Sequence, residues 1–436
     1  MSMSPEAVGL YGLVLLLFLF IIGMPIAFAM LLTGFIGFGF LVDFSSAQAL
    51  LAQDIFEVFS SYPLSVIPMF LLMGAFAFAS GIGHRLYATN YAWMGHHRGG
   101  LTIATVMACA GFSAICGSSA ATAATMGRIA LPEMKKFGYD DQLATGTVAA
   151  AGTLGILIPP STILIIYGIL TEESIGKLFI AGIVPGLLLC LAFVLTVVVL
   201  CRLNPHLGPP GPATSWSDKI RSISGVYEAF FLFLLTIGGL FAGWFSPTQA
   251  GAIGAMGTLL IGVFRRHLTL RQIYEAGREG LLTGCMVLFI ICGATVFGHF
   301  IVITNIPFTL ADWIGALDLP PVMIVAIIIL VYFIGGFFMD SMALIVVTLP
   351  IFFPAIQELG LDTIWFGIII VLVAEMGVIT PPVGINVFVI KGIAPDIPLA
   401  VIFRGIFPFL FSLLVVTVIL IAFPQIATFL PGLVKY

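Results

Sequence analysis

Charge is what this chain has least of. Asp, Glu, Lys and Arg make up 8% of its 436 residues, against roughly a quarter in a soluble globular protein. A surface so poor in charge cannot be solvated, which excludes a soluble domain. The net charge of −4 offers nothing to nucleic acid. No Gly-x-x-x-x-Gly-Lys-Ser/Thr string occurs, so a nucleotide-driven pump is excluded. Gly-x-Ser-Gly, His-Glu-x-x-His and Gly-x-Gly-Asp are also missing, which removes the usual nucleophile, zinc and paired-aspartate signatures of intramembrane enzymes. A channel would draw its pore from several subunits or a charged ring, and no such ring is legible. None of the six cysteines forms Cys-x-x-Cys; 109/116 and 285/292 are seven apart, on one helix face, and read as packing. No Lys or Arg precedes the first apolar run, so this run reads as a membrane helix and not a cleaved signal.

What fills the chain is apolar. Hydrophobic residues make up 61% and the mean hydropathy is +1.20, the composition of a polytopic membrane protein. It also repeats. Pro159-Pro160 recurs 222 residues later as Pro381-Pro382, and the same offset relates Gly155/Gly377, Pro25/Pro247, Ser119/Ser341, Pro132/Pro354, Gly138/Gly360 and Asp140/Asp362. Past a one-residue insertion the offset becomes 223, at Gly182/Gly405 and Pro185/Pro408. Two copies of one unit are expected, residues 1–205 and 226–436, joined by a cytoplasmic linker 206–225.

Each half divides alike. Apolar spans run near 8–24, 26–42, 64–82, 142–170 and 178–201, then 226–243, 247–264, 281–303, 363–391 and 400–424. Residues 101–133 and 322–356 are apolar but interrupted by "CGSSAAT" and "FMDSMA". That leaves arms of about 15 residues, short of the ~20 a spanning helix needs, so both are expected to be re-entrant hairpins. Five crossings per half invert the second half relative to the first. The predicted fold is therefore an all-α polytopic membrane protein of two inverted repeats of about five helices, each with a re-entrant hairpin and a broken helix. Scaffold helices are expected over 8–42 and 226–264, surface arms over 46–62 and 266–279, and transport parts over 64–201 and 281–424. With the N-terminus outside, thirteen Lys/Arg fall at or near the inner face and only Lys177 and Lys435 outside; Arg128 remains, in the return arm of hairpin one.

The double prolines carry the chemistry. A helix broken at mid-membrane frees backbone groups that hydrocarbon cannot satisfy, so a break persists where it lines a cavity or binds something. The carbonyls of Gly155 and Ile158, followed by Pro160, and of Gly377 and Thr380, followed by Pro382, are candidate ligands, facing hairpin-tip Ser118, Ser119 and Ser341. Oxygen donors without thiolate or imidazole suit a hard cation such as Na⁺, and two inverted copies give two cation sites flanking a substrate site. Thr122, Ser161 and Asn386 are candidates for that central site. Asp340, at the second tip, reads as a cation ligand or electrostatic partner, since an acid at membrane depth is expensive, with a wetted tip residue beside a neighbouring donor as the alternative. Glu375 reads equally as a structural acid, His299 as a packing residue, and Arg128 as a snorkelling side chain or an anion partner.

The strings "GFSAICGSSAATAATMGRIALPEMKKFGYD" (Gly111–Asp140) and "GTLGILIPPSTILIIYGILTEESIGKLFIAGIVPG" (Gly152–Gly186) closely resemble the large membrane subunit of tripartite ATP-independent periplasmic (TRAP) transporters. "FMDSMALIVVTLPIFFP" and "GVITPPVGIN" extend the resemblance over essentially the whole chain. It implies a sodium-driven secondary importer of the inner membrane, working by an elevator movement of the hairpins and broken helices, with no organic cofactor and no enzymatic activity. It also implies two partners: a small four-helix membrane subunit, here a separate chain, and an extracytoplasmic binding protein that captures an organic anion, a carboxylate or sugar acid. The alternative is a stand-alone sodium-coupled carboxylate symporter of similar architecture.

Overall fold

The computed structural model describes residues 3–315 and 320–433; Lys435 lies outside them. The first half runs α1 (Pro5–Ile21), α2 (Ile26–Leu41), α3 (Phe44–Ser60), α4 (Val66–Ala79), α5 (Ile82–Met94), α6 (Gly100–Cys116), α7 (Ser119–Lys136), α8 (Asp141–Gly152), α9 (Leu154–Leu157), α10 (Thr162–Leu170) and α11 (Ile175–Leu203). After α12 (Trp216–Ser222) come α13 (Tyr227–Phe233), α14 (Gly239–Phe241), α15 (Pro247–Phe264), α16 (Leu270–Ile303) and α17 (Ile306–Gly315). The chain ends with α18 (Pro321–Gly335), α19 (Ser341–Glu358), α20 (Thr363–Ile379), α21 (Ile385–Ile393), α22 (Leu399–Ala422) and α23 (Gln425–Leu433). No strand occurs among the described residues.

The repeated residues have local jobs. Asp140 caps α8, accepting from the amides of Gln142 and Leu143, and Asp362 caps α20, accepting from Trp365. Each satisfies donors that a helix start leaves orphaned; losing such a cap costs about 1 kcal/mol. Gly138 and Gly360 sit at φ +71° and +64°, where α7 and α19 end. There Tyr139 N–H reaches the Met134 carbonyl and Leu361 N–H the Ile356 carbonyl. This is the left-handed helix stop that glycine adopts without strain.

Several boundaries differ from expectation. Seven helices, among the described residues, are long and apolar enough to cross a membrane, or eight if the bent pair Phe44–Ser60 and Pro63–Ala79 is one span. Two expected spans, α1 and α2, are only 17 and 16 residues long, about 25 Å at 1.5 Å per residue. The expected arm 46–62 is α3, turned 57° from the helix that follows. The expected arm 266–279 is no separate element: the Thr269/Gln272 capping box starts α16, which then runs unbroken for 34 residues into the span. Helices α5 and α17 fall in stretches read as loops. Helix α16 packs against α2 and α4, and α4 against α15.

The basic segments gather at one end. Glu228 pairs with Arg85 (2.8 Å) and Arg265 (2.6 Å), the amides of Gly99 and Gly211 donate to the carbonyls of Gly208 and Gly95, and Asp140 N–H reaches the Leu207 carbonyl. If this end is cytoplasmic, as the Lys/Arg asymmetry requires, then in a cysteine-free background Asp312→Cys should react with an impermeant maleimide applied from outside and Arg271→Cys should not. Reaction at position 271 alone would reverse the orientation.

Candidate functional site

Two helix breaks and two hairpin tips meet in the middle of the molecule. Around the first break every residue from Ala151 to Gly168 is buried. Pro159 and Pro160, joined by a cis bond, have no N–H to return to the carbonyls of Gly155 and Ile156. The chain is extended at Ile158 (ψ 123°), so the Thr162 amide turns to hairpin one and donates to the Gly117 carbonyl (3.4 Å), as does the Thr162 hydroxyl (3.0 Å). Gly117 is left-handed at φ +65°, and a side chain there would meet the Pro160 carbonyl oxygen at 2.5 Å. Beyond it, Ser118 caps α7, and its carbonyl and the Thr122 hydroxyl close on Gly155 so tightly that a Cβ would lie 2.5 and 2.8 Å from them. Ser118, Gly155 and Thr122 are thus brought together as an oxygen-lined contact, and the buried Thr122 Oγ1 finds no hydrogen-bond partner among the described residues.

The second break is built differently. The Thr380 amide donates to the Gly377 carbonyl (2.9 Å) and its hydroxyl to the Met376 carbonyl (2.6 Å), so the Gly377 carbonyl, expected to be free, already accepts one bond. Pro381, Pro382 and Val383 are exposed, whereas the equivalent Pro159 and Pro160 are buried. Hairpin two reaches this helix by backbone contact: Gly336 lies so close to Gly377 that neither has room for a Cβ. Asp340 caps α19, accepting from the Met342 amide (3.1 Å), and is exposed. The acid that engages the tip serine is Glu375: Ser341 Oγ donates to its Oε1 at 2.8 Å, with Ser341 0% and Glu375 1% exposed. Its Oε2 has no partner among the described residues.

The halves are joined through the first tip. Asn386 Nδ2, just past the second break, donates to Ser119 Oγ (2.7 Å) and to the Ala149 carbonyl (3.2 Å). Of the candidate substrate residues, Asn386 gives its Nδ2 to this link while its buried Oδ1 has no partner among the described residues, Ser161 caps α10 by accepting from the Leu164 amide (3.2 Å), and Thr122 lies at the first break. All three are buried. The repeat offset singles out Glu375, because an acid stands there where half one has Thr153.

Two cavities of about 550 Å³ each open along α16. One, toward the basic end, is walled by Gly74 and Phe78 of α4, Ser118 and Arg128 of hairpin one, and Glu279 of α16. The other lies between α3, the far part of α16, α10 and α19, and holds Asp54, Glu57, Glu172 and His299. Arg128 stands over the Phe78 ring, 5.9 Å from its centroid, and forms no ion pair among the described residues. His299, expected as a packing residue, is instead half exposed and bonded through Nδ1 to the buried Asp54 (3.0 Å).

Broken buried helices, polar-tipped hairpins and cavities on both sides of one seam define the class: a helical, multi-pass membrane transporter. The fold agrees. The Alcanivorax borkumensis YdaH transporter superposes with a TM-score of 0.64 at 15% identity, covering 88% of this chain and 90% of that one. Residues 13–426 match the family described as tripartite ATP-independent periplasmic transporter, DctM component. A C4-dicarboxylate TRAP transporter large permease protein of Pseudomonas aeruginosa is 40% identical over 383 residues, 88% of this chain and 89% of its own length. A sialic acid TRAP transporter large permease protein of Vibrio cholerae is 31% identical over 94% of this chain and 95% of its own. The chain belongs to this family. It is a TRAP transporter large permease of the inner membrane, and its relatives are permeases, not enzymes.

Proposed function

We propose that this permease imports an organic anion, a carboxylate or sugar acid, by sodium-coupled elevator movement. The observation that carries the reading is the convergence of two serine-tipped hairpins on two helix breaks at the centre of the membrane region. The donors are hydroxyls, carbonyls and carboxylates, with no group of three or more His, Cys, Asp or Glu placed to hold a transition metal among the described residues. Such a set fits a hard monovalent cation. Ser118, Ser119, Thr122 and the Gly155 and Ile158 carbonyls would serve one cation. Ser341, Asp340 and the Gly377 and Thr380 carbonyls would serve the other, with Pro160 and Pro382 in the broken segments beside them. Glu375 stands next to the second site, where it accepts from Ser341.

The moving body comprises α6–α11 and α18–α22, and the static one α1, α2, α4, α15 and α16, meeting along the seam where both cavities lie. Arg128 on the moving side, unpaired and facing the cavity toward the basic end, suits a substrate carboxylate. Family membership supports two partners: a small membrane subunit, and an extracytoplasmic binding protein that supplies the anion. In proteoliposomes with that binding protein, carboxylate uptake should require a sodium gradient and stay near background under a proton gradient alone. Full uptake without sodium would make the acids proton carriers instead.

A further inference from the structure

We propose that Glu279 on the static body pairs with Arg128 on the moving body at the inner end of the path, and so takes Arg128 over from the departing carboxylate. This rests on the organic-anion and elevator reading above. The two cavities along α16 are one site built twice. The 222-residue offset relates Glu57 to Glu279, Ser61 to Thr283 and, in the other order, Arg128 to Pro350. Glu57, Ser61 and Pro350 line the outer cavity; Glu279, Thr283 and Arg128 line the one toward the basic end. Past a two-residue insertion the offset becomes 224, and the inner wall at Gly74 and Phe78 matches the outer wall at Gly298 and Val302. A glutamate is thus common to both copies. The guanidinium is not. Arg128 stands over the Phe78 ring, 5.9 Å from its centroid, where the outer cavity has Pro350 and Val302. Cation and ring occur together in one copy and are missing together from the other, as a matched pair would be.

Phe78 and Glu279 belong to the static body, whereas Arg128 rides on hairpin one. At the inner end the static wall therefore offers a guanidinium both a π-face and a carboxylate. Neither Arg128 nor Glu279 forms an ion pair among the described residues, so both charges are available. Movement decides when they meet. From residue 280 to the end of α16 at Ile303 there is no Asp or Glu. As the moving body travels outward, Arg128 leaves Glu279 behind and passes a wall of α16 without acid. There the substrate carboxylate is its partner. On return, Glu279 competes for the same guanidinium, because two carboxylates cannot both take its bidentate face. Glu57 has no such opponent, since Pro350 carries no charge. The competition therefore acts at the inner end alone, which aids release inside and not outside, the sense of import. Glu279 is here a positioning residue, since it acts through Arg128.

The test needs no substrate, because in the empty transporter the pair holds the moving body inward. Full-length, cysteine-free protein carries one reporter on α16: Thr295→Cys in the outer cavity or Thr283→Cys in the inner one. An impermeant maleimide labels the first in right-side-out vesicles and the second in inside-out vesicles. Glu279→Gln should speed labelling at 295 and slow it at 283, each about two- to fivefold, the weight of a solvent-exposed ion pair. Arg128→Gln should do the same, and the two together no more than either alone. The exchange Arg128→Glu with Glu279→Arg should restore both rates, which a merely structural role would not allow. Both side chains are exposed, so the variants should fold. Unchanged rates in the two single variants, additive effects, or no rescue by the exchange overturn the pairing. A double reporter keeps that failure apart from failure of the elevator reading. With both cysteines present, a bulky label placed at 283 from inside should suppress labelling at 295 from outside. Independence of the two positions overturns the elevator movement, and the pairing with it.

Discussion

Gly377→Val should abolish uptake while the protein still inserts and elutes as a single species in detergent. A Cβ at position 377 falls inside the contact distance of the Gly336 backbone, which no rotamer change relieves. Overpacking of a core typically costs about 1–3 kcal/mol when side chains can yield; here the whole first arm of hairpin two has to move. That arm leads into Asp340 and Ser341, so the displacement draws Ser341 from Glu375. We expect a loss of uptake of at least roughly tenfold for Gly377→Ala, the equivalent of about 1.4 kcal/mol, and complete loss for Val. Gly336→Ala should behave alike, since the contact has two sides. Gly392→Ala, in a helix with nothing within 4 Å of its added carbon, is the control and should transport normally. Near-normal uptake by Gly377→Val would mean that hairpin two does not need to seat on the broken helix.

The contrast between these glycines bears on what a single sequence can disclose. Breaks at Pro159–Pro160 and Pro381–Pro382, and tips at Ser118–Ser119 and Asp340–Ser341, were legible because each is local: proline lacks an N–H, and a polar cluster interrupts an apolar run. The repeat offset found Gly377 but not its reason, which is the backbone of Gly336. Helix α5 escaped notice because Ile82, Leu86, Tyr87 and Ala92 form a buried stripe too weakly apolar to read as a span. Asn386 was placed at a central site, but its partner Ser119 lies 267 residues away, and no periodicity reports such a pairing. Asp340 is legible because it sits at a tip, whereas the bond from Ser341 to the buried Glu375 appears only in the folded chain.

Sodium affinities separate the roles of these two acids and of the tip serines. Ser119→Ala removes one neutral ligand, worth on the order of 1 kcal/mol or roughly fivefold in affinity. Ser341→Ala should cost more, because its hydroxyl also bonds a buried carboxylate whose other oxygen is already unpartnered. Hydrogen bonds to charged groups are worth about 1.5–3 kcal/mol, so the half-saturating sodium concentration should rise by tenfold or more. Asp340→Asn separates charge from capping: asparagine caps a helix as well as aspartate, so folding should be unaffected and any loss reports the charge alone. If Asp340 faces a cation, its loss exceeds that of Ser119→Ala, as expected for a full charge in a low-dielectric site. If Glu375 supplies the charge instead, Asp340→Asn stays close to wild type and Glu375→Gln shows the larger shift. Sodium dependence of uptake, measured for Ser119→Ala, Ser341→Ala, Asp340→Asn and Glu375→Gln in the same vesicles, separates these outcomes. Wild-type dependence in all four would reduce the double prolines to kinks and end the two-cation reading.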